Sequence, residues 1–79
     1  MTEQQIQSKK IKELEAEGYY VIKLIKTNKN GIPDLLALHK DLGVKFFEIK
    51  TAKGKVSKLQ EYRIEELEEY GFRTEIFRG

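Results

Sequence analysis

The sequence lacks most of the side chains with which very small proteins reinforce a core or build a transition-metal site. Its 79 residues include no cysteine, no tryptophan, one histidine and one proline. Neither disulfides nor zinc-bound thiolates can support the fold, and one histidine argues against a histidine-rich metal site. No apolar run approaches the roughly 18 residues that a membrane span needs, and the polar start Met1–Gln5 differs from a signal peptide. We expect one cytoplasmic domain over residues 1–79.

Positive charge is concentrated in the middle of the chain. Residues 23–58 carry nine lysines and three acidic residues, a net charge of +6, whereas the whole chain carries only +2. Such a surface is expected for the binding of a polyanion such as nucleic acid. Charge alone leaves a second interpretation equally open, in which the lysines only keep exposed strands soluble.

The pattern of apolar residues and helix signals predicts the element order αβββαβ, with no linker that would divide it. Two capping boxes, Thr2 with Gln5 and Ser57 with Gln60, predict the starts of two helices. Glycines predict their ends at Gly18 and Gly71. The four predicted strands are Tyr19–Lys26, a strand that starts at Pro33, Val44–Lys50 and Phe72–Phe77. We expect an α/β fold in which a small mixed sheet is flanked by two helices.

Two apolar runs in the middle of the chain predict an antiparallel hairpin. Pairing Leu38 with Val44 brings Asp34 opposite Glu48, and Lys50 lies two residues further along the same face. Opposed side chains have Cβ atoms about 4.5–5.5 Å apart, so two carboxylates there repel each other unless a cation lies between them. Carboxylate oxygens with several waters are the ligands that Mg²⁺ prefers. The hairpin therefore predicts a metal site beside a lysine.

Two polar side chains on the helices can join this site, and each also has a plain structural explanation. Glu3 lies three residues before Ile6 and so faces the side of the buried stripe, but an acid in a first turn also favours the helix dipole. Gln60 points to the site face, but the capping box alone explains a glutamine there. The spacing leaves both interpretations open for each residue.

Both faces of the hairpin are apolar. The face with Asp34 carries Leu36, Leu38, Val44 and Phe46. The opposite face carries Leu35, Ala37, Phe47 and Ile49. A sheet of this kind must be covered on both sides. Two helices in so short a chain can cover one face well and the other poorly, so we expect a homodimer.

The motifs resemble those of one nuclease family. The run Gly31-Ile32-Pro33-Asp34-Leu35-Leu36, then Glu48-Ile49-Lys50-Thr51, then Gly54 and Gln60, is similar to the VRR-NUC (virus-type replication-repair nuclease) family of the PD-(D/E)XK superfamily. The resemblance covers nearly the whole chain, from Glu3 to the last strand. It implies a restriction-endonuclease-like core and hydrolysis of DNA phosphodiester bonds that depends on Mg²⁺ or Mn²⁺, with no small-molecule cofactor.

The resemblance also implies roles for individual residues. Asp34 and Glu48 would be metal ligands, Lys50 the catalytic lysine, and Glu3 and Gln60 further site residues. The backbone carbonyl of Ile49 can supply another ligand, since hard ions accept such oxygens. Lysines placed to contact flanking phosphates are Lys26, Lys29, Lys53, Lys55 and Lys58. Phosphate contacts position DNA without reading its sequence, so we expect selectivity for DNA structure.

Stand-alone members of this length resemble bacteriophage proteins that dimerise and cut branched DNA such as four-way (Holliday) junctions, which implies the cytoplasm of the host cell. Three hypotheses follow: a junction-cutting endonuclease, a non-catalytic DNA-binding module, and an accessory dimer that recruits a replication partner through the acidic helix. Among nucleases, a four-way junction resolvase and a less selective flap or nicking enzyme stay open. The spacing of two sites in a dimer separates them, and the sequence does not give it.

Overall fold

Two helices and a four-stranded mixed sheet make up the fold, and the computed structural model describes all 79 residues. In chain order the elements are α1 (Glu3–Ala16), β1 (Tyr20–Lys23), β2 (Leu35–His39), β3 (Gly43–Lys50), α2 (Lys58–Glu69) and β4 (Arg73–Arg78). This order confirms the predicted αβββαβ arrangement. Neither helix combines the length and the apolar character that a membrane crossing requires.

Both helices begin at the predicted capping boxes. The Thr2 hydroxyl accepts the Gln5 N–H at 3.2 Å, and the Thr2 N–H donates to the Gln5 side chain at 2.9 Å. Ser57 and Gln60 make the same reciprocal pair at the start of α2. After each helix the chain turns at a glycine with positive φ, Gly18 or Gly71, a conformation that costs other residues energy.

The sheet has the order β1-β2-β3-β4, with antiparallel pairs except for the parallel pair β3–β4. Leu38 pairs with Val44 and Leu36 with Phe46, which confirms the predicted hairpin register. β1 is shorter than the predicted Tyr19–Lys26. The pairing of β1 with the segment before β2 ends with a hydrogen bond from the Leu24 N–H to the Asp34 carbonyl at 2.8 Å.

One face of the sheet is closed by α1. Ile6 and Leu14 pack against Leu35, Ala37, Phe47 and Ile49 to form the buried core. Lys10 is also buried on this side, with its Nζ 4.3 Å from the centroid of the Phe77 ring and 3.3 Å from a carboxylate oxygen of Glu13. The aliphatic stem and the cation–π contact let a lysine occupy a position that its charge alone would disfavour.

The other face is covered only in part, because α2 packs mainly over β4. The uncovered part, called here the open face, consists of Tyr20, Ile22, Leu36, Leu38, Val44 and Phe46. Tyr20, Ile22 and Val44 are exposed, and the other three are half-buried. Unequal coverage of the two faces is thus confirmed, while the homodimer inferred from it stays a prediction.

Candidate active site

The predicted site residues lie at one end of the sheet, where β1, β3 and β4 finish and β2 begins. Asp34 directly precedes β2, and Glu48 and Lys50 lie in the last three positions of β3. Two loops leave the sheet at this same end, residues 24–34 between β1 and β2 and residues 51–57 between β3 and α2. The antiparallel hairpin and the parallel β4 together bring these segments to one end of the sheet.

Asp34 is held through both its side chain and its main chain. Its Oδ2 accepts the Ile49 N–H at 2.8 Å, and its carbonyl accepts the Leu24 N–H at 2.8 Å. The β2–β3 pairing ends at Leu35 and Phe47, so the carboxylate serves as the partner of a backbone donor beyond the last paired residues. The Asp34 side chain therefore has a fixed direction toward the end of β3.

Glu48 is the buried centre of the site, with 2% of its surface exposed. Its Oε2 lies 3.6 Å from the Lys50 Nζ and accepts a hydrogen bond from the Gln60 amide at 3.2 Å. Its Oε1 is buried and has no hydrogen-bond partner. The pKa of Glu48 is raised to about 7, chiefly by burial and then by the negative charge of Asp34, while Lys50 acts in the opposite direction.

Gln60 performs both of the roles that its position allows. Its carbonyl oxygen accepts the Ser57 N–H at 2.9 Å and so completes the capping box of α2. Its amide nitrogen donates to Glu48. The two ends of one amide therefore link the start of α2 to the buried carboxylate of β3, and the two interpretations of this residue are compatible.

The remaining predicted residues lie apart from this cluster or contact it differently. Glu3 is exposed in the first turn of α1 and makes no hydrogen bond or ion pair with the site, and no three acidic or histidine side chains come together as a metal-holding group. Ile49 meets the site through its N–H. Metal ligation by Glu3 and by the Ile49 carbonyl stays a prediction. All five predicted DNA-binding lysines are exposed: Lys26, Lys29, Lys53, Lys55 and Lys58.

Arg78 was missed by the sequence reasoning. Its guanidinium donates to the Thr51 carbonyl at 3.1 Å and to the Gly54 carbonyl, and the neighbouring Gly79 N–H donates to the Lys50 carbonyl at 3.1 Å. The end of β4 thus holds the backbone of the loop that carries Lys53 and Lys55. No signal in the sequence indicates this, because carbonyl acceptors are independent of residue type.

The donor set suits a hard divalent cation. Asp34 and Glu48 supply carboxylate oxygens, and the Glu48 Oε1 is a buried acceptor that lacks a partner within the chain. A cation is the kind of partner that such an oxygen requires, since burying an unpaired charged group is costly.

An αβββαβ core with Pro33-Asp34 before β2 and Glu48-Ile49-Lys50 at the end of β3 has the arrangement of a PD-(D/E)XK-type nuclease, a class that acts on DNA and generally uses divalent metals. The model of the VRR-NUC domain family matches residues 1–79. The chain belongs to the VRR-NUC family. No curated protein and no solved structure matches it.

The raised pKa of Glu48 predicts a pH dependence of stability in the metal-free protein. The pKa is about 7 in the folded protein and 4.5 for an unperturbed glutamate side chain, so the folded state holds a proton that the unfolded state loses. Its contribution is complete below pH 4.5 and is lost as the pH rises through about 7. At about 1.4 kcal/mol per pKa unit this is of the order of 3 kcal/mol.

Urea unfolding in EDTA at about pH 5 and about pH 8, with Glu48→Gln as the control that cannot ionise, measures this contribution. The free energy of unfolding of the variant should rise relative to that of wild type as the pH rises. A difference between the two proteins that is the same at both pH values contradicts the assignment.

Gln60→Glu separates the two roles of Gln60. A glutamate keeps the acceptor for the Ser57 N–H but replaces the donor to Glu48 with another carboxylate. We expect a loss of about 1–3 kcal/mol in EDTA, because Glu48 loses a hydrogen bond and gains a like charge. The matched control is Gln5→Glu, which alters the equivalent residue of the α1 capping box far from any buried carboxylate. Equal stability of the two variants in thermal unfolding would mean that Gln60 only caps α2.

Proposed function

We propose that this VRR-NUC protein is a divalent-metal-dependent endonuclease that cuts branched DNA, such as four-way junctions, as a homodimer. The observation that carries the proposal is the buried Glu48 carboxylate, which has one unpartnered oxygen and lies beside Asp34 and Lys50. It lies at the sheet end from which two lysine-bearing loops leave. A site for metal and a surface for phosphate are therefore adjacent.

Asp34 and Glu48 would hold the ion, Mg²⁺ or Mn²⁺, and the Ile49 carbonyl and Glu3 are the candidates for further ligands. When bound, such an ion polarises a phosphoryl oxygen and lowers the pKa of an attacking water. The protein prepares the site by fixing both carboxylates. The Ile49 N–H orients Asp34, and the Gln60 amide occupies one oxygen of Glu48 and leaves the other free.

Lys50 supplies the positive charge that the chain itself can place against the reacting phosphate. Its ammonium is almost fully buried and is paired only with Glu48. A fixed charge in a water-poor site stabilises developing negative charge far more than a mobile surface lysine does. Neutralisation of Glu48 by a cation would weaken this pair and free the Lys50 ammonium for the phosphate.

The exposed lysines of the two loops bind the DNA backbone on either side of the scissile bond. Lys26 and Lys29 lie on the first loop, Lys53 and Lys55 on the second, and Lys58 begins α2. None of these contacts reads base identity. Substrate choice then depends on the path of the DNA backbone across the protein, which suits branched DNA better than a particular sequence.

The open face supports the homodimer. Its six residues carry no charge, and no helix lies over them. Exposed contiguous apolar surface of this kind on a small protein marks an interaction site. Two copies that bury this face would hold two active sites at a fixed separation, as paired cuts across a junction require.

A non-catalytic DNA-binding module is the competing function. It would need the same exposed lysines, but it has no use for a buried glutamate that is costly to ionise. The Glu48 cluster therefore favours the nuclease.

Catalysis is tested by incubating the pure protein with an end-labelled four-way junction and Mg²⁺ or Mn²⁺. We expect cutting that EDTA abolishes and that Lys50→Ala and Asp34→Asn each reduce by at least about a hundredfold, since both remove charge from the reacting centre. Linear duplex and flap substrates show whether cutting is selective for branches. Cutting that survives both EDTA and Lys50→Ala, or binding without any cutting, contradicts the proposal.

The homodimer is tested by sedimentation equilibrium of Ile22→Lys. A charge on the β1 side of the open face should convert dimers to monomers, because a lysine buried there has no partner. The control is Leu42→Lys, which introduces the same charge at an exposed position of the hairpin turn, away from the open face. A wild-type monomer, or equal dissociation of both variants, argues against an interface at this face.

A further inference from the structure

Ile25 is the most exposed of the large apolar side chains, at 86%. It lies in the 24–34 loop, directly after Leu24, whose N–H donates to the Asp34 carbonyl at 2.8 Å. Hydrogen-bonded residues of antiparallel strands have Cα atoms about 5.5 Å apart. Ile25 therefore extends into solvent one residue beyond a position that is paired with the site aspartate.

The loop that carries Ile25 is tied to itself and to α2. The Thr27 hydroxyl donates to the Lys29 carbonyl at 2.7 Å and accepts the Lys29 N–H at 3.3 Å. Arg63 of α2 donates to the Asn30 carbonyl at 2.7 Å, and Gly31 has a positive φ close against Leu59. These contacts tie residues 27–31 to one another and to α2, while the Leu24 N–H ties the start of the loop to Asp34, so Ile25 lies between two attached segments.

The charges around Ile25 select DNA over a second copy of this chain as its partner. Residues 18–33 contain three lysines and no acidic residue, and Lys23, Lys26 and Lys29 are all exposed. A dimer contact centred on Ile25 would bring these lysines toward their copies. A phosphate backbone on either side of the isoleucine is instead attracted by all three.

We propose that Ile25 is a wedge that inserts between stacked bases at the branch point of the substrate, while Lys26 and Lys29 hold the adjacent phosphates. This inference rests on the proposed nuclease function and assigns its structural selectivity to one side chain. Apolar wedges of this type, isoleucine among them, open base steps in other DNA complexes. Insertion costs least where bases are already poorly stacked, so a wedge beside the site favours branched DNA over continuous duplex.

Base unstacking is tested directly with a four-way junction that carries 2-aminopurine at the branch, bound by wild-type protein in EDTA. Wild type should increase the 2-aminopurine fluorescence, because the base loses its stacking neighbours. Ile25→Ala should bind with little increase, and Ile25→Met should restore it. The control is Leu42→Ala, a truncation of a side chain that is 71% exposed at the opposite end of the sheet, and it should behave as wild type.

Cutting supplies the second measurement. Ile25→Ala should cut the intact junction about tenfold more slowly, and a junction with two unpaired nucleotides at the branch should restore the wild-type rate, since its bases need no opening. Lys26→Ala should instead weaken binding to both junctions and reduce its salt dependence by about one unit of slope.

The inference is overturned if Ile25→Ala and wild type give the same fluorescence increase. It is also overturned if the unpaired junction fails to rescue Ile25→Ala, or if Ile25→Ala changes the oligomeric state in sedimentation, which would assign the side chain to a dimer contact. Because the fluorescence assay needs no cutting, a protein that unstacks the branch but never cleaves would disprove the nuclease and retain the wedge.

Discussion

The burial of the Glu48 carboxylate is the constraint around which the site end of this fold is arranged. A carboxylate at this depth is costly to ionise, and Asp34 adds a second negative charge nearby. Lys50 pairs with the Oε2 oxygen of Glu48, and Gln60 donates a hydrogen bond to the same oxygen. The other oxygen, Oε1, has no hydrogen-bond partner. In the metal-free protein, proton binding removes the buried negative charge, and a bound cation is the other way to compensate it.

The same carboxylate couples the site to the placement of α2. Gln60 caps α2 with one end of its amide and contacts Glu48 with the other, so the direction of the helix start and the position of the carboxylate are not independent. Arg63, one turn later, ties the helix to the loop that carries Lys26 and Lys29. At the other side of the site Arg78 holds the backbone of residues 51–54. Both lysine-bearing loops are therefore fixed to elements that also build the end of the sheet around Glu48.

Local signals predicted most of the fold, and long-range contacts account for what they missed. The capping boxes gave both helix starts because each is a pattern over four residues, and the alternating apolar residues gave the hairpin register that faces Asp34 toward Glu48. β1 ends at Lys23, three residues before the predicted end, and no local signal in the sequence marks that end. The burial of Lys10 depends on the packing of α1 against Phe47 and Phe77, which supply its aromatic partners from distant parts of the chain. Arg78 escaped notice because its acceptors are backbone carbonyls more than twenty residues away.

The buried core and the Glu48 cluster lie on opposite faces of the sheet. On the first of these faces, Ile6 and Leu14 of α1 pack against the four sheet residues of the buried hydrophobic core, so the fold is closed on that side by aliphatic and aromatic packing. The opposite face carries the Glu48 cluster at one end and the open face beside it. A domain of this size buries only about 60–65% of its unfolded surface, and the apolar residues of the sheet that stay exposed all lie on this second face. A partner that covers these residues therefore lies on the side that holds the Glu48 cluster, so the same contact would set both the assembly and the separation of two such clusters.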